Sequence, residues 1–433
     1  MKKIKDLIHA IEKGRKEFDI YMAGNHYREF RQDEIYGKET GDIFNHIGSG
    51  DNLDFMKYLI KGRDMAGKIQ LIYLDPPFFS NSKYQASVSL KSENLGKSPV
   101  IKTGAYDDRW SGDMERYLRM LVVRLLMMKE LLSDTGSIWV HLDWHGSHYV
   151  KMIMDEIFGE DHFVNEIIWT YKSGGASKKS FAKKHDTILF YSKGKKYKFN
   201  PIKEKSYNRG LKPYRFKGVE EFQDEVGWYT LVNMKDVWSI DMVGRTSGER
   251  TGYATQKPEK LIERIISACT DEGDICADFF SGSGTLGAVA SRMGRPWIMC
   301  DEGNVATASQ IMRLADSKEF AEGQLSFDVM RCEAPSENGS VDFALDMGCI
   351  RIDDYKPNLF GLNEADEAVA AKYVSDDGTS AVSFWSVDAG YDGLVHKASG
   401  IVKGKDFSAL MCEEPHIVGY DVFGNRFHWE KNR

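Results

Sequence analysis

Short apolar segments alternate with amphipathic helical patterns over residues 50–310, and this alternation is the strongest constraint on the fold. The clearest strand is the segment 69–74, which is mostly apolar and ends at Asp75-Pro76-Pro77-Phe78. Two consecutive prolines cannot continue a sheet ladder, so the strand must stop there. Strands that alternate with helices form mostly parallel sheets covered on both faces. The pattern therefore predicts an α/β fold with a mostly parallel, doubly wound sheet.

The alternating pattern is interrupted once and ends well before the last residue. One interrupting stretch is basic, rich in aromatic residues and glycine, and weakly periodic, which indicates an insert. The last hundred or so residues form acidic, alternating segments punctuated by glycine, which indicate a small β-rich appendage. In chain order, the predicted parts are an N-terminal helical segment (1–45), the first part of the core (46–192), the insert (193–251), the second part of the core (252–318) and the acidic β-rich region (319–433).

Two stretches outside the core strands receive local predictions. The N-terminal pattern predicts an amphipathic helix with Ile4, Leu7, Ile8 and Ile11 on its apolar face. Residues 79–113 are predicted to form a long polar loop.

The net charge of −7 at pH 7 argues mildly against a nucleic-acid partner, but it averages two regions of opposite charge. Residues 172–217 contain 15 Lys or Arg and two acidic residues, whereas residues 321–433 contain 20 acidic and 10 basic residues. A basic middle and an acidic tail are not expected to share one partner.

The cysteines and the apolar runs limit the cellular setting. None of the six cysteines forms a Cys-x-x-Cys pair, so we expect reduced core residues and no structural zinc site. No apolar run reaches the about 18 residues that a membrane span needs, and the charged N-terminus does not fit the apolar core of a signal peptide. We therefore expect a cytoplasmic protein without a membrane partner.

A second strand end has a pattern typical of ligand binding. Residues 278–285, Asp-Phe-Phe-Ser-Gly-Ser-Gly-Thr, lie between a predicted strand and helix, where glycines let the backbone approach a ligand and the helix supplies free N–H groups. Asp301 ends the next strand, where a carboxylate can accept hydrogen bonds from both ribose hydroxyls. An adenosine-containing cofactor is indicated, and a tight turn without a ligand is the alternative. The next glycine is one position late for the dinucleotide fingerprint, which disfavours a nicotinamide or flavin enzyme.

The residues Asp75-Pro76-Pro77-Phe78 have a chemistry of their own. The prolines fix the backbone, so that the Asp75 carboxylate and the Pro76 carbonyl can both accept hydrogen bonds while Phe78 offers a flat face. This combination suits a planar heterocycle with an exocyclic amine. The alternative is a buried turn with a capping aspartate. The run 141–145 is interpreted as a structural His-x-Asp hydrogen-bonding pair rather than a metal site.

Together the two motifs resemble those of the S-adenosylmethionine-dependent DNA amino-methyltransferases. Asp75-Pro76-Pro77-Phe78 resembles the catalytic Asp-Pro-Pro-Tyr/Phe motif, and 280–284 resembles the Phe-x-Gly-x-Gly cofactor motif. The catalytic motif comes first, as in the circularly permuted beta class. Residues 50–53 and 255–261 resemble further cofactor-side elements, and 184–191 resembles a segment of the type III restriction-modification Mod subunits and their solitary relatives. Phe78 replaces the commoner Tyr, and the chain is shorter than typical type III Mod subunits.

The resemblance implies a Rossmann-like methyltransferase fold, an S-adenosylmethionine cofactor, no metal and a definite set of site residues. The implied catalytic residues are Asp75, Pro76, Pro77 and Phe78. The implied cofactor-binding residues are Asp51, Lys257, Pro258, Phe280, Gly282, Gly284, Thr285 and Asp301. The basic region supplies the predicted DNA contacts, at Lys178, Lys179, Lys183, Lys184, Lys195, Lys196 and Lys198. All of this requires the turns that follow residues 74 and 280 to open into a single cavity.

The implied reaction is methyl transfer to the N6 amine of a flipped-out adenine at a specific site in double-stranded DNA. The alternatives are N4-cytosine methylation, a non-catalytic DNA-binding partner subunit, and a methyltransferase for RNA, protein or a small molecule. The implied setting is a prokaryotic or phage-encoded protein associated with the nucleoid. A homodimer and a helicase-nuclease restriction subunit are the implied protein partners, and the acidic tail is assigned to dimer contact or partner docking.

Overall fold

The computed structural model describes residues 2–38, 44–90, 100–172, 178–253, 255–333, 339–346, 349–359, 362–404, 408–409 and 414–431. The α-helices in this part of the chain are α1 (Lys2–Ala23), α2 (Asn52–Lys61), α3 (Met114–Leu131), α4 (Ser147–Phe158), α5 (Glu259–Cys269), α6 (Thr285–Arg292), α7 (Asn304–Ala315), α8 (Lys318–Ala321) and α9 (Glu364–Asp376). Short 3-10 helices span Glu160–His162, Arg209–Leu211 and Gly378–Ala381.

The strands, in chain order, are β1 (Arg31–Tyr36), β2 (His46–Ser49), β3 (Ile69–Leu74), β4 (Lys83–Ser89), β5 (Val100–Asp107), β6 (Leu132–Leu142), β7 (Phe163–Thr170), β8 (His185–Ser192), β9 (Lys203–Tyr207), β10 (Phe222–Gln223), β11 (Trp228–Asn233), β12 (Val237–Ser239), β13 (Cys276–Asp278), β14 (Trp297–Asp301), β15 (Phe327–Arg331), β16 (Gly339–Asp346), β17 (Cys349–Pro357), β18 (Val382–Asp388), β19 (His396–Ala398), β20 (Gly400–Lys403), β21 (Ser408–Ala409), β22 (His416–Asp421) and β23 (Arg426–Glu430).

A large central sheet organises the molecule. Its strand order is β12-β7-β8-β6-β3-β13-β14-β2-β15-β1-β19. The six strands from β6 to β15 in this order run parallel, whereas β8 and β1 run against their neighbours in that block. Two separate groups of buried apolar side chains cover its faces. The predicted α/β fold with a mostly parallel, doubly wound sheet is confirmed.

The direction of the strands decides where the functional residues meet. Carboxyl ends of parallel strands lie at one edge of a sheet, so Asp75, Asp278 and Asp301 all reach the same edge. We call this the carboxyl edge, and the other the amino edge. Because β8 is antiparallel to β6, the residues before His185 also lie at the carboxyl edge, whereas those after Ser192 lie at the amino edge.

One local prediction was wrong, and a second, the N-terminal amphipathic helix, is confirmed as α1 but buries only part of the predicted face. The predicted polar loop over 79–113 contains the antiparallel hairpin β4–β5. In α1, Leu7 and Ala10 are buried, whereas Ile4 and Ile8 are 63% and 49% exposed. The buried side of α1 packs on α3 through small residues, and a Cβ at Gly14 would lie 2.6 Å from a Val122 methyl carbon. The buried face of α1 is set by the small residues that let the two helices pack closely. The periodicity of apolar residues alone does not predict which face this is.

The central sheet draws strands from all five predicted parts of the chain. The strand β1 lies within the predicted N-terminal helical segment, and β12 within the insert. The strands β15 and β19 come from the acidic region. The rest of that region forms the sheets β16-β17-β21 and β20-β18-β22-β23, and so has the predicted β-rich character. The predicted domain boundaries at residues 45, 192, 251 and 318 therefore remain a prediction.

The described cysteines are free, and Cys269, Cys276 and Cys300 are buried, as predicted. Cys412 lies outside the described residues. Across the described ranges, the longest and most apolar helices still fall short of what a membrane crossing requires.

Candidate active site

A cavity of about 330 Å³ opens at the carboxyl edge of the central sheet. It lies between the turn at 75–78, here called the catalytic turn, and the turn at 279–284, here called the glycine turn. Asp75 and Pro77 of the catalytic turn and residues 279–283 of the glycine turn all line it, so the prediction that the two turns open into a single cavity is confirmed. The lining residues include Asn52, Tyr73, Asp75, Pro77, Trp110, Arg124, Tyr253, Lys257, Asp278, Phe280, Gly282, Thr285 and Asp301.

The two carboxylate oxygens of Asp75 have different surroundings. Oδ2 accepts a hydrogen bond from the Lys257 ammonium group. Oδ1 is buried and has no hydrogen-bond partner among the described residues. The ring nitrogen Nδ1 of His141 lies 3.9 Å from Oδ1, too far for a hydrogen bond. A buried acceptor without a donor destabilises the protein, and a ligand that donates a hydrogen bond to Oδ1 would remove this cost.

The catalytic turn is held rigidly from behind. The Tyr117 hydroxyl donates to the Pro77 carbonyl oxygen at 2.7 Å. The buried Asp108 carboxylate accepts from the backbone N–H groups of Phe79 at 3.1 Å and Ser80 at 2.7 Å. These contacts hold Phe79 at a positive φ of 62°, a conformation that a non-glycine residue rarely adopts. The orientation of Asp75 is therefore fixed before any ligand binds.

The glycine turn is joined to the end of β14 by Asp301. Its carboxylate accepts from the Gly282 N–H at 2.9 Å and from the Gly303 N–H at 2.9 Å. Burial raises the pKa of Asp301 to about 6. Gly284 has a φ of 74°, and an added Cβ would lie 2.9 Å from the Gln310 side chain. The turn therefore requires glycine at that position, both for conformation and for space.

The predicted cofactor residues divide into those that line the cavity and those that support it. Lys257, Phe280, Gly282, Thr285 and Asp301 line it. Among the supporting residues, Pro258 occupies the N-cap position of α5 and Gly284 that of α6.

Asp51 has a different environment from the predicted one. Its carboxylate caps α2 by accepting from the Leu53 N–H at 2.7 Å, and it pairs with Arg124 at 3.1 Å. Its neighbour Asn52 lines the cavity instead, and the Asn52 amide donates to the Phe279 carbonyl oxygen at 2.6 Å. The motif at 50–53 thus reaches the cavity one residue later than expected.

Comparison with known proteins identifies the family. A family model described as DNA methylase, of the N6/N4 type, matches residues 69–310, which include both turns. The chain belongs to the N6/N4 DNA methylase family. Because the family is S-adenosylmethionine-dependent, the predicted cofactor is confirmed at this level.

Several relatives are type II methyltransferases. The chain is 36% identical to M.BglII of Bacillus subtilis, with 63% of this chain and 73% of the relative covered. It is 27% identical to M.EcaI of Enterobacter cloacae over 70% of this chain and 76% of that one. It is 30% identical to M2.DpnII of Streptococcus pneumoniae over 57% and 82%. The finer resemblance to type III Mod subunits stays a prediction.

The structure of this DNA methylase does not bring the seven predicted DNA-binding lysines together. Lys178, Lys179, Lys183 and Lys184 precede β8 at the carboxyl edge, whereas Lys195, Lys196 and Lys198 follow β8 at the amino edge. A strand of this length separates the two groups by on the order of 20 Å. Lys198 is also paired with Asp271 at 2.9 Å. Sequence proximity concealed this separation because the intervening strand is fully extended.

The predicted pair between His141 and Asp143 is wrong in its partners. Asp143 pairs with His145 at 2.6 Å. His141 is fully buried beside the catalytic turn, where its Nδ1 lies 2.8 Å from the Tyr73 hydroxyl and its Nε2 lies 3.2 Å from Asp186. Residues two apart point to the same face only while the strand continues. Because β6 ends at Leu142, Asp143 lies outside the strand and its side chain does not follow that of His141.

Some cavity residues gave little signal in the sequence. Trp110 follows the hairpin that was predicted as a loop, and Tyr253 lies just after the insert, where periodicity is weak. Arg124 is on α3, and its Nε donates to the Asn52 amide oxygen at 2.6 Å. The sequence signal for Arg124 was a single charged residue within an otherwise apolar stretch of helix, which can indicate a functional role.

Proposed function

We propose that this DNA methylase transfers a methyl group from S-adenosylmethionine to the N6 amine of an adenine flipped out of a specific DNA sequence. The observation that carries the proposal is that Asp75, whose buried Oδ1 has no hydrogen-bond partner among the described residues, lines one cavity together with the glycine turn and Asp301. Oδ1 suits an amine donor, and the glycine turn with Asp301 suits an adenosine-containing cofactor. The two halves of the reaction thus share one space.

The residues of the catalytic turn suit the chemistry of an exocyclic amine. Such an amine is a poor nucleophile, because its lone pair is conjugated with the ring. When bound, S-adenosylmethionine supplies the electrophilic methyl group. Asp75 Oδ1 and the Pro76 carbonyl oxygen accept hydrogen bonds from the two N–H groups of the amine, localise its lone pair and stabilise the positive charge that develops on nitrogen. As the N–C bond forms, the bond between sulfur and the methyl group breaks and a neutral thioether leaves. The methylated nitrogen then releases one proton to solvent.

The supporting residues keep this arrangement in place. Lys257 binds the second oxygen of Asp75, which orients the carboxylate and leaves Oδ1 as the acceptor for the amine. Phe78 is half-buried, and its ring lies 5.8 Å from the His141 ring. The Phe78 ring offers a stacking surface for the base, and stacking on an aromatic ring contributes about 1–3 kcal/mol.

The choice of adenine rests on the first residue of the catalytic motif. The resemblance associates aspartate in this place with adenine N6, and serine more often with cytosine N4. Both amines present two N–H donors, so the contacts of Asp75 accommodate either base. N4-cytosine methylation is therefore the alternative outcome of the test.

The test is methyl transfer from labelled S-adenosylmethionine to unmethylated bacterial genomic DNA, followed by nucleoside analysis of the product. We expect label in N6-methyladenine. Label in N4-methylcytosine would replace the adenine assignment and keep the enzyme. Failure to label DNA, with cofactor binding intact, would contradict the proposed activity and support a non-catalytic DNA-binding subunit.

Within the insert 193–251, we assign target recognition to the small sheet that follows the lysines at 195–198. The strands β9, β10 and β11 form a small antiparallel sheet there, separate from the central sheet. The surrounding segment exposes large apolar side chains, and these are Tyr207, Leu211, Tyr214, Phe216 and Val219. Exposed aromatic residues in a basic setting are typical of nucleic-acid contact surfaces. A homodimer and a restriction subunit remain the proposed protein partners of the acidic region.

The separation of the lysines leads to a prediction about DNA affinity. Each lysine that neutralises a phosphate contributes about 0.9 to the slope of log affinity against log salt. We expect the double variant Lys178→Gln/Lys183→Gln to bind duplex DNA more weakly and to lower this slope by about 1–2. The charge-matched variant Lys195→Gln/Lys196→Gln is expected to bind like the wild type. Fluorescence anisotropy across a salt series measures both, and equal losses in the two variants would contradict the assignment.

A second prediction concerns the pH dependence of cofactor binding. With the pKa of Asp301 raised to about 6, its carboxylate becomes protonated as the pH falls from 8 to 5 and loses acceptor capacity for the ribose hydroxyls. We expect cofactor affinity to fall about tenfold by pH 5, since only about a tenth of the groups is then ionised. Calorimetric titration at several pH values measures this. Asp301→Asn should bind weakly with a flatter profile, and a flat wild-type profile would contradict the role of Asp301.

A further inference from the structure

The segment 178–184, here called the lysine loop, contains a surface feature that the proposed function does not explain. The Phe181 side chain is 99% exposed, although a phenylalanine ring normally stabilises a protein by being buried. Four of the seven residues in the loop are lysines, and none is acidic. An apolar ring surrounded by cations suits a polyanion with an apolar interior, and duplex DNA has both properties.

The lysine loop is anchored beside the catalytic turn. The Lys183 ammonium lies 3.6 Å from the centre of the Trp144 ring, in a cation–π contact. Trp144 belongs to the turn after β6, which packs against the catalytic turn, since a Cβ added at Gly146 would lie 3.5 Å from the Phe78 carbonyl oxygen. Phe181, two residues before Lys183, is therefore held near the mouth of the cavity.

The other end of the loop leads back to the same place. The loop is followed directly by β8, and Asp186 near the start of that strand bonds to His141 at 3.2 Å. His141 lies 3.9 Å from the unpartnered oxygen of Asp75. The loop thus projects from the part of the carboxyl edge where the target base must enter.

We propose that the lysine loop enters the duplex at the target base pair, and that the Phe181 ring fills the gap that the flipped adenine leaves in the base stack. This inference rests on the proposed function, because it requires a base to be flipped into the cavity. An inserted apolar side chain replaces the lost stacking, and lysines on both sides of it pair with the flanking phosphates. Phe181 is thereby a positioning residue that stabilises the flipped state.

The test compares two synthetic duplexes that carry the methylated sequence, once that sequence has been read from the wild-type product. In the first, the target adenine is paired. In the second, it lies opposite an abasic position, so that less pairing is lost when it flips. We expect Phe181→Ala to lower kcat/KM roughly tenfold on the paired duplex, and to approach wild-type kcat/KM on the abasic duplex. Phe181→Trp should retain activity on both.

The comparison separates this inference from its alternatives. Phe44 is also exposed, at 63%, but it precedes β2 at the amino edge, so Phe44→Ala should behave like the wild type on both duplexes. An equal defect of Phe181→Ala on the two duplexes would assign Phe181 to general affinity or folding and overturn the inference. No defect on either duplex would assign the ring to a protein partner and also overturn it. Methylation of neither duplex by the wild type would instead contradict the proposed function.

Discussion

Replacement of Asp75 by alanine is expected to lower methyl transfer to DNA by roughly 10²–10³-fold or more. The variant loses the acceptor for the amine N–H and the negative charge that stabilises the developing positive charge on nitrogen. Neither the glycine turn nor Asp301 depends on this side chain, so cofactor binding should persist. Single-turnover incorporation of labelled methyl groups measures the rate, and calorimetry measures cofactor affinity.

The matched variant is Asp75→Asn. In Asp75→Ala, the mostly buried Lys257 loses its carboxylate partner, so part of any effect could arise from destabilisation. Asparagine keeps the volume and one acceptor oxygen, and it removes the charge. We expect this variant to fold like the wild type and still lose most of the rate. Substantial activity in Asp75→Asn would show that charge on Asp75 is not needed and would contradict the proposed mechanism.

The sequence predicted the parts of the site that are encoded locally. The strand over residues 69–74 begins and ends as predicted, because its apolar run is stopped by two prolines. The glycine turn and Asp301 were found because the turn needs glycine and because strand and helix alternate around it. These features depend on a few consecutive residues and on one general property of parallel sheets.

The contacts that complete the site could not be predicted in this way. Lys257 pairs with Asp75 across 182 positions of sequence, and no local pattern specifies that distance. The seven lysines looked like one cluster because the sequence does not show that β8 carries the chain across the sheet. Similarly, the buried side of α1 is decided by how closely α3 approaches it.

The N-terminal and C-terminal parts of the chain meet in a buried ionic network centred on Glu34 of β1. The Glu34 carboxylate accepts from the guanidinium of Arg426 at 2.9 Å and from that of Arg331 at 3.1 Å. The Tyr420 hydroxyl also donates to Glu34, at 2.6 Å. Both arginines pair with Asp33 as well, at 2.8 Å for Arg331 and 3.2 Å for Arg426. Through Tyr420 and Arg426, the network therefore connects the acidic β-rich region to β1 of the central sheet.

We expect Glu34→Ala to reduce the free energy of unfolding by about 3–5 kcal/mol, because removing one member of a buried ion network leaves the others uncompensated. Urea unfolding followed by tryptophan fluorescence measures this. The control is Asp353→Ala, which removes an exposed carboxylate that pairs with Arg351 at 3.4 Å, and which should cost less than about 1 kcal/mol. Equal stability of the two variants would show that the network does not hold the regions together.

The same network predicts how stability depends on pH. Burial by itself would raise the pKa of Glu34, but Arg426 and Arg331 hold that pKa below its ordinary value of 4.5. Glu34 therefore binds a proton more weakly in the folded protein than in the unfolded chain. The contribution of the Glu34 carboxylate to the free energy of unfolding is fully present above pH 4.5 and is lost as the pH falls below that value. Burial and the neighbouring Glu34 raise the pKa of Asp33, which offsets part of this loss. Glu34→Gln should consequently show a smaller loss of stability between pH 6 and pH 3 than the wild type, and an unchanged loss would contradict the assignment of the acid-sensitive contact to Glu34.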